Sequence, residues 1–121
     1  QHRLQRKRKE SMYVKNKSLA IPFRFLPNQT HQFFEDFIVI DLRSRGYFLI
    51  SHIQNALNLS SLKRIAFIAQ ENKDKKILLY CHSGSSAAEF GSELVKQGLY
   101  NIYYFDDNYF NIPKEYLQSN S

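Results

Sequence analysis

"KKILLYCHSGSSAAEFGSELVKQG", residues 75–98, decides how this chain is read. Its first part, "KKILLYC" (75–81), is an apolar run of the kind that forms a strand buried on both faces. Its last part, "SSAAEFGSELVKQG", repeats Ala87, Phe90, Gly91 and Leu94 at helical spacing, with Gly98 as a C-terminal stop. Between them lies "CHSGSS", a short Ser/Gly loop carrying the single cysteine of the chain. A strand that feeds a helix through such a loop suits an anion, because N–H groups at the helix start point at the loop's centre. A thiol placed there meets the positive end of the helix dipole and several donors, which favour a negatively charged, nucleophilic sulfur. His82 adds charge when protonated. The competing reading is a buried cysteine acting as a small hydrophobe.

Outward from this unit, "FIVIDL" (37–42) is a second continuous apolar strand, ending near Asp41. "NIYYFDD" (101–107) predicts a third strand and "ALNLS" (56–60) a short one. "SLAIPFRFLP" (18–27) reads as an edge strand, since Pro22 interrupts its ladder and Pro27 ends it. Helices are expected in "NQTHQFFEDF" (28–37), in "SLKRIAFIAQEN" with Leu62, Ile65, Ile68 and Ala69 on one face, and in "IPKEYLQ" after Pro113. Strands alternating with helices imply a parallel-type sheet covered on both sides. Ligands sit at the carboxyl ends of such strands, where Cys81 and Asp41 both fall.

Charge divides the chain in two. Residues 1–24 hold eight Lys/Arg and one acid, so they carry +7 of a total of +6, and the remainder carries −1. Residues 1–17 are therefore read as a basic arm or linker and residues 18–121 as one domain, with the arm expected to be dispensable for folding. The arm would suit the cytoplasmic flank of a membrane helix, or contact with anionic lipid. A nucleic-acid reading has no support besides the arm, so no nucleic-acid partner is expected. A lone cysteine excludes an internal disulfide and suits a reducing cytoplasm. The chain begins with Gln rather than Met, which implies an upstream segment: a signal, a membrane anchor or cloning residues. His2 and His31 show no metal-ligand spacing, and no metal site is expected.

The spacing of Cys81, two residues, Gly84, two residues and then a helix resembles the active-site loop of rhodaneses, the sulfurtransferase domains. "VIDLRS" (39–44) resembles the family's Asp-x-Arg strand end, which places Asp41 and Arg43. "SHIQNALNL" (51–59) resembles its His-Ile segment, with His52 nine residues after Arg43, and "GLYNIYYFDDNY" resembles the segment after the active-site helix. Four weak motifs in order, over residues 30–118, make a strong signal together. The resemblance implies a rhodanese-like three-layer α/β fold, with a central, mostly parallel sheet and helices on both faces. It implies a single-domain sulfurtransferase or persulfide carrier, needing no cofactor, in which Cys81 takes a sulfane sulfur from thiosulfate or a persulfide. A thiol or cyanide, or a protein partner, would then accept it.

Within that resemblance, His82, Ser83, Gly84, Ser85 and Ser86 form the anion-holding loop, with their amides as donors. Asp41 and Arg43 support it, chiefly through a strand-end turn and a salt bridge or carbonyl clamp, and His52 anchors its own turn by a hydrogen bond. Several positions depart from the family. Ser86 stands where an Arg is frequent, Tyr47 where a charge is common, Ser51 and Asn55 at glycines, and Asp107-Asn108 at a double glycine. Without that Arg, weak thiosulfate affinity is expected, with His82 and Arg45 left for the outer oxygens. The main alternative is a protein-binding module of the same fold without turnover. A cysteine phosphatase is disfavoured because the clamp position six residues after Cys81 is Ala87, and a dithiol redox role lacks a second cysteine.

Overall fold

The computed structural model describes residues 14–26 and 35–119. Five parallel strands build the sheet: β1 (Ile21–Phe23), β2 (Phe37–Asp41), β4 (Leu57–Asn58), β5 (Lys76–Tyr80) and β6 (Ile102–Phe105), in the order β1-β6-β5-β2-β4. The two apolar runs, β2 and β5, are neighbours inside the sheet, buried at Val39–Asp41 and Ile77–Tyr80. β1 is an edge strand, so the missing N–H of Pro22 removes no ladder bond that a neighbour needs.

Side chains alternate along every central strand. Ile40, Ile77, Leu79, Cys81, Ile102 and Tyr104 face one side, against α2 (Leu62–Glu71) and α3 (Ser85–Lys96). α2 starts at Ser61, whose hydroxyl accepts the Arg64 N–H at 3.2 Å, and buries Ile65 and Ala69. α3 buries Ala87, Ala88, Gly91 and Leu94. A Cβ on Gly91 would stand 2.7 Å from Ala20 Cβ, so only glycine lets the chain before β1 lie this close to the helix.

Val39, Leu78, Tyr80 and Phe105 face the other side. There they meet Ile53, Ala56, Tyr109, Ile112 and Tyr116, with Phe48 of α1 (Arg45–Ile50) packed alongside. A two-stranded antiparallel ribbon, β3 (Ser51–Ile53) with β7 (Leu117–Ser119), completes this layer.

The chain is thus three-layered, with a parallel sheet and helices, but some elements differ from expectation. The helix expected in "IPKEYLQ" is a single 3-10 turn, Lys114–Tyr116, followed by β7. Burial of Tyr116 and pairing with β3 outcompete a helix too short to hold itself. α1 and β3 have no periodic signal, and α1 buries no residue fully. Most of the helix expected at 28–37 lies outside the described residues, and Phe37 opens β2. No helix among the described residues is long and apolar enough to cross a membrane.

Candidate active site

Cys81 follows directly on β5, and the chain turns to enter α3 within four residues. The turn hinges on Gly84, the residue before the helix, at φ +95°. That conformation costs an L side chain energy and costs glycine little. It aims the Gly84 N–H at Cys81 Sγ, 3.2 Å away, while the Ala87 N–H reaches the same sulfur at 3.4 Å. The sulfur therefore has its carbon side in the apolar layer with Ala87 and Ala88, and its lone pairs turned to main-chain donors. Of the run 82–86, only the Gly84 amide makes this contact, and the second donor, Ala87, lies one position beyond it.

His82, Ser83, Ser85 and Ser86 are exposed around the loop, and the three serine hydroxyls make no hydrogen bond to a described residue. The His82 carbonyl accepts the Tyr109 N–H at 2.8 Å, and its ring meets Tyr47 edge-on at 4.5 Å. Arg45 is exposed at the start of α1, two residues before Tyr47, without a hydrogen bond or ion pair among the described residues.

The end of β2 is built differently. Asp41 is fully buried and accepts from the Arg43 N–H at 2.8 Å, from Arg43 Nε at 3.0 Å, from Arg43 Nη2 at 2.8 Å and from the Tyr80 hydroxyl. Arg43 also donates to the Ser51 carbonyl at 2.6 Å and lies over the Tyr109 ring at 4.0 Å. Burial opposes the Arg43 charge, but the bonds and charge of Asp41 outweigh it and hold the guanidinium above its usual range. Burial, then the charge and bond of Asp41, push the Tyr80 phenol far up. His52 is buried, with Nδ1 at 2.8 Å from the Phe48 carbonyl, and a carbonyl only accepts, so Nδ1 carries the proton. Its ring stacks on Phe48 at 3.8 Å. Asp41, Arg43 and His52 form no hydrogen bond with residues 81–86, and the groups gathered on the Cys81 sulfur are the amides of Gly84 and Ala87.

Sequence reading missed a second buried carboxylate. Asp106, just beyond β6, has no exposed surface and accepts the backbone N–H of Lys15 at 2.8 Å, that of Asn16 at 2.9 Å, Asn16 Nδ2 at 3.0 Å and Arg24 Nη2 at 3.0 Å. Lys15 Nζ reaches Asp107 at 2.6 Å, and this ion pair with Asn111 and Asn108 outweighs partial burial to hold the Asp107 carboxyl below its ordinary value. Asn16 Nδ2 also donates to the Ser83 carbonyl at 3.1 Å. The boundary drawn at residue 17 therefore falls inside a docked segment, and an arm removed to residue 17 would take Asp106's main-chain partners with it. Two adjacent acids at a strand end were the only signal in the sequence, and nothing there ties them to a residue 90 positions away.

Against known proteins, the Rhodanese-like domain family matches residues 27–114, from before β2 to the start of the 3-10 turn that precedes β7. This chain belongs to the rhodanese-like family. A Helicobacter pylori protein solved by solution NMR shares the rhodanese-like fold found here, with a TM-score of 0.63 and 28% identity over 72% of this chain and 82% of that one. A thiosulfate sulfurtransferase, GlpE, of Coxiella burnetii is 34% identical over 68 residues, 56% of this chain. The match spans 64% of that relative's length. The GlpE of Vibrio cholerae is 28% identical over 59% of this chain and 67% of its own, and a tRNA uridine(34) hydroxylase of Photorhabdus laumondii matches at 27% over 22% of its length.

The glycine positions at which this rhodanese-like chain departs are absorbed locally. Asn55 takes φ +65°, a left-handed conformation that Asn tolerates better than most residues. Ser51 offers its carbonyl to Arg43 and its hydroxyl to Tyr109 at 2.6 Å. These two departures lie at the start of β3 and in the turn after it, whereas Asp107 stands beside the Gly84 turn.

Proposed function

We propose that this domain is a sulfurtransferase or persulfide carrier in which Cys81 is the catalytic residue. The observation that carries the reading is the convergence of two main-chain N–H groups, Gly84 and Ala87, on Cys81 Sγ at the start of α3. Oriented amides stabilise negative sulfur without reorganising during the reaction. Relatives named thiosulfate sulfurtransferase support the same chemistry.

In the first step the Cys81 thiolate attacks the outer sulfur of thiosulfate. A Cys–S bond to that sulfur forms, the sulfur–sulfur bond of thiosulfate breaks, and sulfite leaves with the electron pair. The product is a Cys81 persulfide anion, whose terminal sulfur extends toward the exposed side of the loop, where His82, Ser83, Ser85 and Ser86 lie. A thiolate or cyanide then attacks that terminal sulfur and returns Cys81 as thiolate. A low-molecular-weight persulfide serves as donor in the same way, with its thiolate as leaving group. Ser86 supplies no charge for the outer oxygens of thiosulfate, which leaves the exposed Arg45, unpaired among the described residues, as the nearby cation, so thiosulfate is the weaker donor of the two.

Intact-mass measurement tests the proposal. After incubation with thiosulfate or a persulfide donor, the chain gains the mass of one sulfur, and Cys81→Ser gains none. No gain with either donor would leave a non-catalytic module of this fold.

A further inference from the structure

We infer that Asn16 is a positioning residue for the sulfur-bearing loop: its carboxamide locks the Ser83–Gly84 peptide so that the N–H of that peptide faces Cys81 Sγ. The inference rests on the reading of Cys81 as the sulfur carrier. The carbonyl of Ser83 and the N–H of Gly84 belong to one planar unit and point in opposite directions, so whatever holds the oxygen aims the hydrogen. Asn16 Nδ2 donates to Ser83 O at 3.1 Å on one side, and the Gly84 N–H donates to the sulfur at 3.2 Å on the other. A peptide next to a glycine turns over easily, because glycine accepts both signs of φ. Gly84 at φ +95° therefore provides the turn but not its orientation.

Asn16 is itself immobilised. Its second amide proton goes to Asp106 Oδ1 at 3.0 Å, its backbone N–H to the same oxygen at 2.9 Å, and its carbonyl accepts the Tyr104 hydroxyl. A Cβ on Gly84 would sit 2.7 Å from Asn16 Nδ2, so the carboxamide also fills the space into which the turn would relax. Hydrogen bonding at the carbonyl polarises the peptide and strengthens its N–H as a donor. Among the described residues this is the one hydrogen bond from residues 14–20 to residues 81–84.

Alkylation of Cys81 by iodoacetamide, followed against pH in the full chain, tests this without requiring sulfur transfer. In Asn16→Ala the midpoint of the profile moves to higher pH by about one unit, as expected for losing one donor to a charged group. Tyr104→Phe loosens the same segment without touching the carboxamide and keeps the midpoint of the unsubstituted chain. An unmoved midpoint in Asn16→Ala, or an equal shift in Tyr104→Phe, would overturn the inference. If Asn16→Ala fails to fold, Asn16→Ser is the second variant, with the same expectation. Hydrogen exchange in the unsubstituted chain needs no variant: the Gly84 amide exchanges far more slowly than those of Ser85 and Ser86, and equal rates would refute the lock. A shifted midpoint in a chain that never gains sulfur would sink the sulfur-carrier reading alone, whereas sulfur gain with an unmoved midpoint would sink only this one.

Discussion

The carboxyl ends of β2 and β5 lie side by side, Asp41 in register with Tyr80, and they are finished in opposite ways. At the β2 end side chains supply most of the partners: the Arg43 guanidinium and the Tyr80 hydroxyl donate to Asp41 alongside the Arg43 backbone N–H, and the Ser51 carbonyl and the Tyr109 ring complete the guanidinium's surroundings. At the β5 end the donors to the buried Cys81 sulfur come from the backbone, and the loop side chains around it, His82, Ser83, Ser85 and Ser86, are exposed. Side-chain pairs, once desolvated, hold a fold in one arrangement. The first end is closed by its own side chains, and under the proposed function the second is the one that exchanges sulfur.

Substitutions sharpen this contrast. The largest effect is expected for Arg43→Ala, which leaves the Asp41 carboxylate buried without its cation: about 3–5 kcal/mol of stability should be lost in denaturant unfolding. A loss under 1 kcal/mol would mean the closed end is not closed. Gly84→Ala places a Cβ at φ +95° and 2.7 Å from Asn16 Nδ2, so roughly 1–3 kcal/mol of stability should go together with sulfur loading. Loading at the unsubstituted rate would show that the sulfur does not need this turn.

Alkaline titration separates the two ends further. Tyr80 has its folded value raised above the ordinary 10.0, so above that pH the unfolded chain gives up a proton that the folded one keeps. Stability is then full below pH 10 and falls as pH rises, by about 1.4 kcal/mol per unit for this group. Tyr80→Phe should show a shallower fall, and an identical slope would contradict the assignment. The smallest effect belongs to the β5 end: Ser86→Arg should lower KM for thiosulfate about fivefold, the scale of one exposed ion pair. An unchanged KM would mean that the charge at this position does not govern donor choice.

Much of the architecture was legible because apolar runs and helical spacing report burial directly. "FIVIDL" and "KKILLYC" became β2 and β5, and the α3 periodicity and its Gly98 stop appear at φ +90°. The cysteine loop was legible too, since strand, Ser/Gly turn and helix follow each other within a few residues. What escaped was non-local or lacked a period: α1 buries no full face, β7 exists because β3 is there to pair with it, and Asp106 finds its partners 90 positions away.

By itself, then, the sequence determined an α/β domain with a lone thiol at the end of a buried strand, because local pattern and chain proximity suffice for both. Only the tertiary structure decided which amides face that thiol and which residue holds them there. Gly84 and Ala87 reach the sulfur through the turn into α3, and Asn16 reaches the turn through Asp106. Hydrogen-bond direction depends on where distant segments pack, and no periodicity in a chain records that.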